Sequence, residues 1–320
     1  MTDINKNLEP IKSLTEFIIQ YKSELRDIFM DQNKRLYFRG ESMDYAYNKL
    51  VPRVYRKSTK DEFIYNEYQE YYKYLRRCPE EFMGMTNIDV LSKMQHGGAS
   101  TRLLDLTTNP LVALFFSCDS NFDRDGLFHV FIAEKSNQQN NGKGNILSFD
   151  SDRALMMSTI AKLTIKEQRE VHNYCLKITE INNASSSNEE IRLDSEYLKN
   201  NENSSVSRFI YECERERTAF QNHRIEVADL YKMSYVKPRL INDRIKKQLG
   251  LFGIYGFNDT GLYETTLTFT IDSKSKKKIL SELSFIAGID HFSLFGGIEG
   301  LSKDDKNELY RVFVNSLNEK

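Results

Sequence analysis

The stretch Gln95-His96-Gly97-Gly98-Ala99-Ser100-Thr101-Arg102-Leu103-Leu104-Asp105-Leu106-Thr107-Thr108-Asn109-Pro110-Leu111-Val112-Ala113-Leu114-Phe115-Phe116 decides how this chain is read. Its first half joins a glycine pair to a concentration of hydrogen-bonding side chains, and its second half is almost wholly apolar. Asn109 suits an N-cap and Pro110 the first helical position, where a missing N–H costs nothing. A buried helix is therefore predicted to begin there and run through Leu111, Ala113, Leu114 and Phe115. Polar groups then stand at a helix N-terminus, on the kind of loop that carries function on a rigid scaffold.

Working outward, Asn87 to Gln95 reads as a short helix, and Gly126-Leu127-Phe128-His129-Val130-Phe131-Ile132-Ala133 as a buried strand. Upstream, Pro10 to Met30 has the spacing of an amphipathic helix, and Arg35-Leu36-Tyr37-Phe38-Arg39-Gly40 suits a strand that delivers Arg39 to its end. A tyrosine-rich helix is predicted over Asp61 to Cys78, stopped by Pro79. Further on, 137–144 reads as a polar loop, 151–168 as helix, 184–205 as a polar excursion and 208–218 as a helix of alternating charge. Thr265 to Ile271 is β-rich, Asp272 is placed to cap a basic helix to Ala287, and a helix from Ser302 toward Leu317 closes the chain.

The 320 residues include 45 basic and 46 acidic side chains, a net charge of -1. No global field draws such a chain to nucleic acid or an anionic membrane, and neither is expected as a partner. No apolar run reaches the roughly 20 residues that span a bilayer, and Met1 to Asn7 lacks a signal-peptide pattern, so a cytoplasmic address is expected. Cys78, Cys118, Cys175 and Cys213 are widely spaced and read as free thiols, with no zinc pattern and no metal site expected.

Several side chains have two readings. Arg39 is either half of a buried ion pair or a guanidinium ready for phosphate or carboxylate. Arg102 and Asp105 either pair with one another or face a ligand. His96 is a general base or a donor to a backbone carbonyl, and Gln95 and Gln248 serve either a ribose or buried backbone. Asn242 to Gly253 forms a second polar cluster with glycines. The lysines at 274, 276, 277 and 278 read as a solvent-facing run. No Walker loop, dinucleotide fingerprint, HExxH or GxSxG is present.

Phe38-Arg39-Gly40, Gln95-His96-Gly97-Gly98, Thr101-Arg102-Leu103-Leu104-Asp105, Thr107, Asn109-Pro110-Leu111 and Ala113-Leu114-Phe115-Phe116 together resemble the FRG domain, named for its Phe-Arg-Gly motif. The Asn242, Arg244-Ile245, Gln248, Gly250 and Phe252 pattern resembles a later element of that family. Departures fall at Gly97, Ser100 and Leu106. The resemblance implies an α+β fold, a central mixed or antiparallel sheet flanked by helices in a single elaborated domain. The helix of residues 1–30 would precede the FRG-like part, 31–255, which carries the polar insertion at 184–205; residues 256–320 would pack on the same body as a β/helical extension.

The family implies a bacterial or phage-related protein, many of its members belonging to anti-phage defence. The order of elements is also similar to that of ADP-ribosyltransferases, which hold NAD in a cleft between two sheets, with an arginine on a phosphate or ribose and a late glutamate beside the reacting ribose. Here Gln248 stands where that acid is wanted, and Glu264 lies off the pattern. These likenesses imply a polar cleft with His96, Asp105 and Gln248 as catalytic groups, and Arg39, Gly40, Gln95, Thr101, Arg102, Thr107, Asn109 and Arg244 as substrate contacts. NAD is the candidate substrate and no cofactor is required. The alternative is a non-catalytic module that senses a nucleotide or a phage-derived trigger and signals to a partner or a homo-oligomer.

Overall fold

In the computed structural model, residues 8–56, 67–136, 144–184, 204–217, 219–220, 226–240, 243–257, 267–302 and 306–318 are described. The expected elements at 61–66, 137–143 and 185–203, and the residues Asn242, Glu264, Thr265 and Thr266, lie outside them. The strands are β1 (Lys34–Glu41), β2 (Leu104–Thr107), β3 (Gly126–Glu134), β4 (Ile146–Ser148), β5 (Ser234–Lys237), β6 (Gly250–Ile254) and β7 (Leu267–Ile271). The helices are α1 (Leu14–Phe29), α2 (Glu67–Arg77), α3 (Asn87–His96), α4 (Pro110–Cys118), α5 (Asp152–Thr159), α6 (Ile165–Ala184), α7 (Ser204–Glu216), α8 (Asp243–Lys247), α9 (Lys276–Ala287), α10 (His291–Phe295), α11 (Gly297–Ser302) and α12 (Lys306–Asn318).

The strands make one mixed sheet, in the order β4-β5-β6-β2-β1-β3-β7, with β4 and β5 parallel and every other pair antiparallel. This is the expected α+β class. Side chains alternate across a strand, and the apolar clusters follow that alternation. Phe38, Phe128, Val130 and Phe269 pack on one face beneath α1, α4 and α9, and Phe252, Ile254 and Val236 continue that face beneath α3 and α5. Tyr37, Leu104, Leu106, Phe131, Tyr235 and Leu251 form the opposite face.

Helix ends explain where the elements begin. Ser13 accepts from the Glu16 N–H at 3.2 Å to start α1, and Asn109 accepts from the Leu111 N–H at 2.9 Å to start α4. The expected helix 151–168 is two helices. Ser151 caps α5, a 3-10 turn follows at Ile160–Lys162, and α6 starts afresh where Thr164 and Glu167 exchange hydrogen bonds. The expected closing helix is described as α12, Lys306–Asn318.

Lys274 and Lys277 of the lysine run are exposed as expected, and Lys276 departs from that expectation. A 3-10 turn at Ser273–Ser275 precedes α9, and Lys276 is fully buried. Its ammonium donates to the carbonyls of Ser42 (2.5 Å), Ser120 (3.0 Å) and Asn121 (2.9 Å), tying α9 to the end of β1 and to the turn after α4. Those inward-facing carbonyls supply the acceptors that a buried ammonium needs. Cys118, Cys175 and Cys213 are buried free thiols, and Cys78 is an exposed one. Among the described residues no helix is long and apolar enough to cross a membrane.

Candidate functional site

The opening stretch begins at the end of α3. Thr86 and Asp89 close the front of that helix with a capping box, and the chain leaves it through Gly97 and Gly98. Gly98 has φ +90°, a conformation that costs a side-chain-bearing residue strain. Tyr74 Oη and Arg53 Nη1 donate to the carbonyls of Gly97 and Gly98, both at 3.0 Å, so the turn is held from two sides.

This turn carries the chain into β2 and brings Asp105 opposite the end of α3. Gln95 Nε2 donates to Asp105 Oδ1 at 2.7 Å, while the Thr101 hydroxyl donates to Gln95 Oε1. The three form a relay in which Thr101 sets the Gln95 amide and Gln95 sets the carboxylate. Asp105 opens on a cleft of about 90 Å³ whose rim also carries His96, Arg244 and Gln248, with Ile245 and Phe252 on its apolar side. Arg244 lies over the Phe295 ring, 4.9 Å from its centroid, and Gln248 Nε2 donates to the Leu294 carbonyl at 3.4 Å. α8 and α10 thereby hold the second wall.

The structure thus brings together Gln95, His96, Asp105, Arg244 and Gln248, with Thr101 behind them. The other expected contacts are engaged within the protein. Arg102 is wholly buried and does not pair with Asp105. Glu67 of α2 takes its Nε at 3.0 Å and its Nη2 at 2.6 Å, and the Gly256 carbonyl takes Nη1 at 2.8 Å. Thr107 Oγ1 donates to the Gln248 carbonyl at 2.7 Å and accepts from the Asn109 N–H at 3.0 Å, and Asn109 caps α4. Gly40 lies against α4, where an added Cβ would collide with the Ala113 carbonyl.

Arg39 makes an ion pair with Glu41. It sits on the opposite face of the sheet from the Asp105 side chain, because Phe38 and Thr107 are paired across β1 and β2 and alternation places Arg39 beneath. Its Nε meets Glu41 Oε1 at 3.2 Å, and its Nη1 reaches only the backbone carbonyl of Asp105, at 2.8 Å.

That face holds a cluster the sequence reading missed. His129 Nε2 stands 3.4 Å from Glu41 Oε2, and its Nδ1 is 3.0 Å from Thr268 Oγ1. Burial alone would raise the Glu41 carboxyl. The nearby His129 imidazole, the charge of Arg39 and the Leu50 N–H outweigh it and hold the group at about 2. Burial pushes His129 below its ordinary value, against the pull of the Glu41 carboxylate. The available signal was a lone histidine inside the apolar run 126–133.

Residues 34–126 match the family model of the FRG domain. The matched span runs from the first residue of β1 to the first of β3, taking in the Thr101–Gln95–Asp105 relay and leaving out the Arg244 to Gln248 wall. No curated protein and no solved structure matches the chain.

Proposed function

We propose that the chain is an effector of bacterial anti-phage defence that acts on a nucleotide, with NAD as its substrate, at the cleft beside Asp105. The observation that carries this reading is the oriented carboxylate. Asp105 is held by Gln95 and opens on a cleft shared with a histidine and an arginine. A fixed negative charge stabilises the positive charge that develops on a ribosyl carbon as its leaving group departs. The defence setting is supported by the family resemblance.

In this mechanism the bond between the ribose and nicotinamide breaks, and nicotinamide leaves with the bonding pair. A water oxygen attacks the ribosyl carbon, and its proton passes to His96. Arg244 meets an anionic group of the nucleotide, and the Gln248 side chain bonds a ribose hydroxyl. At about 90 Å³ the cleft takes a single small ring, so the remainder of the nucleotide extends over its rim. Transfer of ADP-ribose to a nucleophile other than water follows the same bond breaking.

Incubating the purified protein with NAD and following nicotinamide release tests this. Turnover is expected, and it should be lost in Asp105→Asn while the melting temperature is kept. Turnover unchanged in that variant would remove the assigned site. The neutral Gln248 amide, at a position where transferases of this type place an acid, favours a second reading in which the cleft senses a nucleotide or a phage component without turnover. That reading expects a rise in melting temperature on adding the ligand and no product.

A further inference from the structure

A second pocket, independent of the Asp105 cleft, lies on the far side of α4, where α4, α9, α10 and the start of α12 meet. At about 500 Å³ it falls in the range that takes a small organic molecule. Phe115, Phe122, Leu280, Leu309 and Val312 make its walls apolar. Its charged groups are unbalanced. Asp119, Asp290 and Glu308 line it against one lysine, Lys277, and one histidine, His291, with Asp290 accepting from the Ser293 N–H at the start of α10.

The pocket already shows how it holds a cation. The Lys277 ammonium lies 5.5 Å from the Phe122 ring centroid and 2.6 Å from Glu308 Oε1, an ammonium between an aromatic face and a carboxylate. Deeper in, the same combination recurs around Asp119. His291 Nε2 lies 2.7 Å from Asp119 Oδ1, and the imidazole is edge-on to Phe115 at 5.1 Å and stacked on Phe295 at 5.7 Å. The imidazole thus holds Asp119 beside apolar walls.

We propose that this pocket binds an organic ammonium ion with an aromatic or branched apolar body, the ammonium meeting Asp119 and the body lying against Phe115, Leu280 and Val312. An anionic ligand of the same shape faces the carboxylate excess and is rejected.

Isothermal titration of the full chain with phenethylamine and, in parallel, with 3-phenylpropanoate tests the assignment. Phenethylamine should bind saturably at one site, and the carboxylate at least about tenfold more weakly, a difference of about 1.4 kcal/mol. Asp119→Asn should weaken the amine by about tenfold or more. Val312→Trp, which fills the pocket without touching a charge, should abolish binding and decides the matter if the Asp119 variant fails to fold. Asp105→Asn should leave amine binding unchanged, which separates this site from the proposed reaction. Absence of saturable binding, equal binding of the carboxylate, or full binding to Val312→Trp would overturn the proposal.

Discussion

Gly40 and Ala113 touch through their backbones. A Cβ built on Gly40 would run into the Ala113 carbonyl oxygen and stand 2.5 Å from the Ser117 amide nitrogen, so the glycine of the Phe-Arg-Gly motif is what lets α4 lie on β1. Gly40→Ala therefore has to push a helix off the centre of the sheet. Urea denaturation should show a loss of about 3 kcal/mol, at the upper end for inserting one methyl group into a packed core. A loss below about 0.5 kcal/mol, typical of a surface change, would mean that the contact is not the reason for the glycine.

Arg102 and Glu67 stand in a similar relation. Both are buried, and their contacts are bidentate. Removing either partner strands a charge in the interior, so Glu67→Gln and Arg102→Met should each cost about 3–5 kcal/mol. The double change Glu67→Leu with Arg102→Met should recover part of that cost, because two apolar groups leave no charge uncompensated. Arg102→Lys should not recover it, since an ammonium cannot reproduce the planar fork. Midpoints of chemical denaturation measure all four, and a double variant no better than the singles would contradict the pairing.

The α4 helix was legible because every local signal agreed. Asn109 caps it, Pro110 opens it, and the apolar run after them gives it a buried face. The strand at 126–133 was legible for its unbroken apolar run. Arg102 was not, because its partner lies 35 residues upstream on α2 and nothing in Thr101-Arg102-Leu103 announces a distant carboxylate. Arg39 and Asp105 were grouped as one site, although alternation along paired strands sends their side chains to opposite faces. That outcome depends on register, which is a property of the pairing and not of either segment. Lys276 was read from its charged neighbours, while its burial depends on three carbonyls contributed by other parts of the chain.

The Glu41–His129 pair makes the fold acid-labile. Glu41 falls from an ordinary 4.5 to about 2 in the native state, so the unfolded chain takes up a proton there first as pH drops. The stabilisation is complete above 4.5 and is lost as pH falls toward 2, amounting to about 3 kcal/mol. His129 is lowered from 6.5, so its contribution has the same sign and begins to fade as pH falls below that value. The urea midpoint should hold steady above 6.5 and decline below it. His129→Asn should flatten the upper part of the decline and Glu41→Gln the part below 4.5. A wild-type midpoint that rises on acidification would show that the signs are reversed.

Gln95 touches Asp105 but has no charge to lend, which makes it a positioning residue for the proposed reaction. If the carboxylate works by being held in place, Gln95→Ala should lower kcat by about tenfold to a hundredfold, the cost of misplacing a reacting group by about an ångström. Gln95 is only partly buried, so melting temperature should barely change. Thr101→Val frees the amide to turn over and should give a smaller loss of the same kind. Gln95→Glu separates positioning from mere packing. It keeps the shape and sets a second carboxylate against Asp105, where two like charges cannot both ionise easily. The acid limb of the pH–rate profile should then move to higher pH, with activity partly regained on the alkaline side. A Gln95→Glu profile that coincides with wild type would leave the Thr101–Gln95–Asp105 relay as a structural network alone, and would shift the choice toward the sensing reading of the cleft.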